Sequence, residues 1–85
     1  MPHSVYILKS LRRETYYVGQ SVDPPRRLVF HNTTEKGFTS WYRPWLLVYT
    51  LACKTREEAI DLERKIKAWK SKLMIEKLIR GEITL

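Results

Sequence analysis

Residues 4–19 read SVYILKSLRRETYYVG, two β-prone runs joined by a short charged link. The first run, Val5–Leu8, is continuously apolar and predicts a strand that ends near Ser10. The second run, Thr15–Val18, is β-branched and aromatic and ends at Gly19. Because two such runs with a polar link are typical of a β-hairpin, we predict that they pair as neighbouring strands.

The hairpin is followed by signals for a helix, a loop and a third strand. Asp23 precedes two prolines, which is typical of a helix start, because Asp caps free N–H groups and Pro tolerates the first turn. We predict that this helix ends near Asn32. Residues 33–44 are rich in turn formers and predict a loop, whereas residues 45–52 are mostly apolar and predict a strand.

Two further helical segments complete the pattern. Thr55 followed by Glu58 matches a capping box. Apolar residues recur behind it at helical spacing: Ala59, Leu62, Ile66 and Trp69. A last helical segment over 73–79 is stopped by Gly81. The order β-β-α-β-α-α predicts an α+β fold, a three-stranded antiparallel sheet flanked by helices, with residues 1–85 as a single domain.

The composition favours a polyanionic partner. Sixteen Lys and Arg against nine Asp and Glu give these 85 residues a formal net charge of +7. A field of this strength attracts nucleic acid, although a merely soluble basic protein has the same composition. The single Cys53 cannot form an internal disulfide and predicts a buried, inert thiol. With no zinc-ligand cluster, signal peptide or membrane span in the sequence, we expect a cytoplasmic protein.

Two tyrosines and a glycine of the hairpin are candidates for a site. Tyr6 and Tyr17 lie on neighbouring predicted strands. For either tyrosine alone, packing in the core with the hydroxyl at the rim is the favoured interpretation. Gly19 ends the second predicted strand, where it allows a tight turn or a close backbone approach.

Arg27 and His31 are four residues apart and share one face of the first helix. Arg offers a planar fork to phosphate oxygens, and His can move a proton near neutral pH. Taken alone, the pair is better interpreted as part of a solvated helix face. Arg26 points about 100° away and suits a backbone-phosphate or solvent contact.

Glu63 lies on or beside the apolar face of its helix, where an unpaired carboxylate is costly to bury. Two interpretations are equally good. One is an ion pair, for example with an Arg of the first helix. The other is a ligand of Mg²⁺, which takes few protein ligands and keeps several waters.

The loop and the basic C-terminal segment offer weaker signals. Trp41 and Arg43 could stack on bases or clamp a strand, whereas Trp45 is better interpreted as a core residue. Residues 64–80 carry seven cations and one acid, Glu76. This run is either a solvated helix face or a surface that tracks phosphates.

In their order and spacing, these residues resemble the GIY-YIG nuclease family over nearly the whole chain. The two tyrosine motifs of the family match Val5-Tyr6 and Tyr17-Val18-Gly19. Its arginine matches Arg27, and the histidine or tyrosine four residues later matches His31. Its glutamate on a later helix matches Glu63. Matches to the small stand-alone bacterial branch, described as excinuclease-C-like predicted endonucleases, are Phe38-Thr39, Arg43-Pro44-Trp45, Leu62-Glu63 and Ile66-Lys67.

The resemblance implies hydrolysis of DNA phosphodiester bonds with one Mg²⁺ or Mn²⁺ held by Glu63. Tyr6 would orient or deprotonate the attacking water, and Arg27 would stabilise charge on the phosphate. Tyr17 and His31 would position the phosphate or relay a proton. Nucleic-acid contacts are predicted for Gly19, Gln20, Arg26, Trp41, Arg43, Lys67 and Lys70. We expect a protein that nicks DNA or selects branched DNA structures, in repair or recombination. We expect it to be a monomer or a weak homodimer.

The chain departs from the family pattern at three places. Ser4 replaces the first glycine, and Gln20 stands where the excision-nuclease subfamily carries a lysine. The asparagine that follows the metal glutamate in some members is absent, since Asn32 lies upstream. A nucleic-acid-binding module without catalysis is therefore one alternative. A second is an adaptor whose basic helix meets an acidic protein. RNA in place of DNA also stays open as the nucleic acid.

Overall fold

The computed structural model describes residues 2–85. In chain order its elements are β1 (His3–Ser10), β2 (Tyr16–Ser21), α1 (Pro24–Thr33), a 3-10 helix (Phe38–Tyr42), β3 (Trp45–Cys53), α2 (Arg56–Ala68) and α3 (Lys72–Ile79). The predicted α+β class and element order are confirmed. The prediction was wrong in treating residues 33–44 wholly as a loop, since they contain the 3-10 helix, and in ending the second strand at Gly19.

The three strands form one antiparallel sheet in the order β2-β1-β3. β1 is the central strand, with a neighbouring strand on each edge and helices on both faces. This position explains why its sequence is continuously apolar. Val5–Leu8 is accordingly buried throughout. The register places Gly19 opposite Tyr6 and Tyr17 opposite Leu8.

Alternation along β1 divides the core into two layers. Val5 and Ile7 pack with Val18 against α2 and α3. Tyr6 and Leu8 face the other way and pack with Trp45 against α1 and the 3-10 helix. The predicted core positions of Trp45 and Cys53 are confirmed, since both residues are buried.

Side-chain caps start all three α-helices. Asp23 Oδ1 accepts from the Arg26 amide at 3.2 Å, and Thr55 Oγ1 accepts from the Glu58 amide at 3.1 Å, as predicted. Ser71 Oγ caps α3 in the same way at 3.2 Å from the Met74 amide. Within residues 2–85, the helices are all too short or too polar to cross a membrane.

Candidate active site

Tyr6 stands at the centre of the site, on the face of β1 that α1 covers. The residue is 1% exposed. Its hydroxyl lies 3.0 Å from Nε2 of His31, 25 residues later in the chain. The strand therefore holds the tyrosine ring in the core and directs its polar atom at a side chain of the next layer.

Gly19 makes room for the Tyr6 ring. It lies inside β2, directly opposite Tyr6. A Cβ atom at this position would lie 2.7 Å from both Cζ and Oη of Tyr6. Carbon atoms in contact are ordinarily about 3.5–4.0 Å apart, so no side chain fits without moving the ring. The predicted close backbone approach at Gly19 is thus to the tyrosine, within the strand and not at its end.

We expect Gly19→Ala to destabilise the protein by about 1–3 kcal/mol, the usual result of overpacking a filled core. Urea denaturation followed by circular dichroism measures the change. Gly37→Ala is the matched control, because its added Cβ meets only the flexible end of the Glu35 side chain, at 3.1 Å. Equal stability of the Gly19 variant and the parent protein would contradict this assignment.

His31 is buried at 1% exposure, although the sequence favoured a solvated helix face. That interpretation was wrong for this residue, because the side of α1 that carries His31 packs against the face of the sheet that carries Tyr6. While Nε2 contacts the Tyr6 hydroxyl, Nδ1 lies 3.1 Å from Oγ1 of Thr39 in the 3-10 helix. Both ring nitrogens are therefore engaged, and the imidazole has a defined orientation.

Tyr17, on β2, is the third aromatic residue of the cluster. Its ring centroid lies 4.7 Å from that of His31 and 6.2 Å from that of Tyr6. The residue is half-buried, so its ring borders both the core and the solvent. The structure thus brings together three predicted residues from two strands and a helix.

The surroundings of the Tyr6–His31 contact disfavour both the negatively charged form of Tyr6 and the positively charged form of His31. Burial raises the pKa of Tyr6 to about 12, with smaller increases from Tyr17 and Glu63, while Arg27 opposes the rise. Burial also lowers the pKa of His31, and the charge of Arg27 lowers it further. At neutral pH both groups are therefore uncharged.

Arg27 links this buried pair to an open cleft. It is half-buried, and its guanidinium carbon lies 4.4 Å from the centroid of the Phe30 ring. The cleft has a volume of about 470 Å³ and is lined by Ser21, Val22, Asp23, Arg26, Arg27 and Phe30. Stacking on Phe30 restricts the guanidinium to one plane, which suits bidentate contact with an oxyanion.

Glu63 lies on α2, in the layer on the other side of the sheet from the Tyr6–His31 contact. Its side chain is 21% exposed, and Oε2 accepts from Lys67 Nζ at 3.1 Å. The predicted place at the edge of the apolar face is confirmed, but the example of an ion pair with the first helix was wrong. A lysine one turn further along the same helix is the partner. The Glu63 charge is the smallest of the causes that raise the pKa of Tyr6.

The donor set around Glu63 restricts the kind of metal that it could bind. The described residues contain no group of three or more His, Cys, Asp or Glu that could hold an ion. A lone carboxylate does not fit zinc, which takes three or four protein ligands, or calcium, which takes about six to eight oxygen ligands. It does fit Mg²⁺ or Mn²⁺, which bind through one or two carboxylates together with water and substrate phosphate.

Arg43, a predicted nucleic-acid contact, has structural partners of its own. Arg43 Nε donates to the His31 carbonyl at 2.7 Å, and another Arg43 nitrogen donates to the Glu35 carbonyl. Arg43 therefore holds the C-terminal end of α1. Asn32 is also structural, since its side-chain amide bonds both the N–H and the C=O of Trp45.

The other predicted contact residues lie outside the tyrosine–histidine cluster. Arg26, Trp41 and Lys70 are exposed. Gln20 lies on β2, and its buried Oε1 has no hydrogen-bond partner among residues 2–85. All of these nucleic-acid contacts stay predictions.

Thr39 and Phe30 were not predicted as site residues, although Phe38-Thr39 is one of the matches to the stand-alone branch. Thr39 lies eight residues after His31 in a stretch predicted as loop, and only the 3-10 helix turns its hydroxyl back to the imidazole. Phe30 precedes His31 and carries no polar atom. Neither residue type, taken alone, indicates a role in catalysis or binding.

Comparisons with known proteins agree with this geometry. The model of the GIY-YIG catalytic domain matches residues 2–77. A UPF0213 protein of Desulfotalea psychrophila is 40% identical over 55 residues, which are 62% of this chain and 50% of that protein. The chain thus spans about half the length of this curated relative.

A solved structure extends the likeness to nearly the whole chain. The solution NMR structure of a UPF0213 protein from Bacillus halodurans is similar with a TM-score of 0.58 and 32% identity. The match covers 94% of this chain and 84% of that one. A GIY-YIG domain implies nuclease-type activity, and nucleases of this family generally use divalent metals. The family model matches most of the chain and the fold agrees with it, so the chain belongs to the GIY-YIG family.

Proposed function

We propose that this protein is a divalent-metal-dependent endonuclease that hydrolyses phosphodiester bonds in DNA. The observation that carries the proposal is the Tyr6–His31 contact of 3.0 Å beside Arg27, within reach of the Glu63 charge. A proton acceptor, a fixed cation and a lone carboxylate are the groups that phosphodiester hydrolysis requires. The net charge of +7 supports a nucleic-acid substrate.

In the proposed reaction, Tyr6 and His31 act as a pair. With hydrogen on Nδ1, His31 donates to Thr39 and can accept at Nε2 from the Tyr6 hydroxyl. A water proton moves to Tyr6 Oη as the Tyr6 proton moves to His31 Nε2. The water oxygen bonds to phosphorus, the bond between phosphorus and the leaving oxygen breaks, and the leaving oxygen takes a proton from solvent to become a hydroxyl. His31 then returns its proton to solvent through Tyr6. The Tyr6 pKa of about 12 explains why the phenol needs His31 as a partner.

Arg27 and Glu63 complete the proposed site. Arg27 binds the non-bridging phosphate oxygens, where negative charge grows in the transition state. Glu63 would hold one Mg²⁺ or Mn²⁺, exchanging its contact with Lys67 for the ion. When bound, such an ion supplies Lewis-acid stabilisation of the charge on oxygen. One site of this kind cuts one strand, so a monomer or weak homodimer in the cytoplasm would nick DNA during repair or recombination.

Nicking of supercoiled plasmid tests the proposal. The parent protein should convert the plasmid to the open circle with Mg²⁺ or Mn²⁺, and EDTA should stop it. We expect Arg27→Ala to reduce the rate by about 10²-fold, the loss typical of one transition-state donor.

Arg26→Ala is the matched control, because it removes an exposed arginine from the wall of the same cleft. It should weaken binding with little change in the rate at saturation. If the parent protein binds DNA but leaves both plasmid and branched DNA uncut with either metal, the chain is a binding module without catalysis.

A further inference from the structure

A second groove lies between the β1–β2 turn and the 3-10 helix. It has a volume of about 610 Å³ and is lined by Arg12, Arg13, Trp41 and Tyr42. The sequence presented these residues in two separate places, a polar turn and a loop. The fold brings two cations and two aromatic rings together on one surface.

The groove is held in shape by Ser10, which is buried at the end of β1. Its hydroxyl donates to the Tyr42 carbonyl at 2.7 Å and accepts from the amides of Arg12 and Arg13 at 3.1 and 3.0 Å. These three hydrogen bonds join the turn to the 3-10 helix. The side chains on both walls therefore project from a fixed backbone.

The groove chemistry suits a single strand of nucleic acid. Trp41 is 74% exposed, a large apolar area to leave in water. Within residues 2–85 the ion pairs are Lys67–Glu63 and Arg80–Glu82, so neither Arg12 nor Arg13 has a carboxylate partner. An exposed indole offers a face for stacking, and unpaired arginines bind phosphates on either side of a stacked base.

The groove also lies close to the catalytic cluster. Tyr42 on its wall is 6.2 Å from Trp45, and Trp45 is 6.4 Å from Tyr17, measured between ring centroids. These two distances place the Tyr42 ring within about 13 Å of the Tyr17 ring, which is at most about four nucleotides of a strand at about 3.4 Å or more each. A strand cut beside Tyr17 is therefore close enough to enter the groove.

We propose that Arg12, Arg13 and Trp41 bind an unpaired DNA segment a few nucleotides from the phosphate that is cut. The inference rests on the proposed nuclease function and names its substrate class. Bases inside a duplex are stacked on each other and cannot offer a face to Trp41. DNA with a single-stranded segment beside a duplex is therefore the preferred substrate.

Fluorescence anisotropy with two labelled DNAs tests the groove without catalysis. One DNA is a duplex with a single-stranded dT overhang, and the other is the blunt duplex, both with EDTA. The parent protein should bind the overhang DNA more tightly. Trp41→Ala should weaken that binding by at least about fivefold, as expected for one lost stacked base, and leave the blunt duplex unchanged. Trp41→Phe, which keeps an aromatic face, should restore most of the affinity.

The arginines have their own readout and control. Arg12→Ala combined with Arg13→Ala should reduce the slope of log Kd against log salt by about 1.4, at about 0.7 for each single-strand phosphate contact. Lys54→Ala combined with Arg56→Ala removes the same charge from exposed positions before and at the start of α2 and should leave the overhang preference intact.

Unchanged overhang binding by Trp41→Ala, or equal loss in the Lys54 and Arg56 control, overturns the groove proposal. A parent protein that cuts DNA without preference for the overhang substrate also overturns it. If overhang binding depends on Trp41 but the protein cuts neither DNA, the groove proposal is supported. The proposed nuclease function is then the one that fails.

Discussion

Glu63→Gln is expected to abolish metal-dependent cleavage while leaving the fold intact. The amide keeps the shape of the side chain but removes the only charge that we assign to the metal. Lewis-acid stabilisation contributes several kcal/mol to such reactions, so the rate should fall by about 10³-fold or more. The half-exposed Lys67 contact contributes at most about 1 kcal/mol, so unfolding should change little.

Single-turnover cleavage across a Mg²⁺ titration measures this effect, and circular dichroism checks the fold. Glu57→Gln is the matched control, an exposed glutamate in the first turn of the same helix. It should cleave at close to the parent rate. Cleavage by Glu63→Gln at the parent rate and with the parent Mg²⁺ dependence would mean that the ion, if one acts, binds elsewhere.

Tyr6→Phe is expected to reduce cleavage by about 10²–10⁴-fold, the range for loss of a general acid or base. The ring stays in the core, so the cleft beside Arg27 keeps its shape. The His31 Nε2 atom loses its contact with Tyr6, which costs roughly 1–3 kcal/mol of stability for an unsatisfied buried group. The variant should therefore fold, bind DNA as the parent does, and fail in the chemical step.

Rates at saturating DNA, compared with binding in EDTA, separate these effects. Tyr49→Phe removes a hydroxyl from a half-buried tyrosine in the core layer of α2 and α3 and serves as the control. Its rate should match the parent rate. A Tyr6→Phe rate within about threefold of the parent, well under the general-base range, would assign proton transfer to another group.

The order of the elements could be predicted because each has a local signal. The continuous apolar run of Val5–Leu8 predicts a buried central strand, and Asp23 and Thr55 cap their helices as the sequence indicates. The 3-10 helix was missed because its five residues are too few to show an apolar period. Strand ends were missed by one to three residues, since pairing with β1 and not local composition decides where β2 and β3 stop.

The site was predicted as a set of residues but not as an arrangement. Tyr6, Tyr17, Arg27, His31 and Glu63 could be selected because their order matches a family pattern. The burial of His31 could not be read from a helix with little apolar periodicity, because contacts with another element decide it. Thr39 and the grouping of Arg12, Arg13 and Trp41 depend in the same way on the packing of the 3-10 helix.

By itself, the sequence determined the α+β class, the three strands and three helices, the basic charge and the family to which the chain belongs. These properties follow from neighbouring residues, whose periodicity, caps and turns act over a few positions. Only the tertiary structure decided that Tyr6 meets His31 and that Gly19 gives the ring its space. Such contacts depend on how layers pack, and a buried hydroxyl takes whichever partner that packing brings within hydrogen-bond distance.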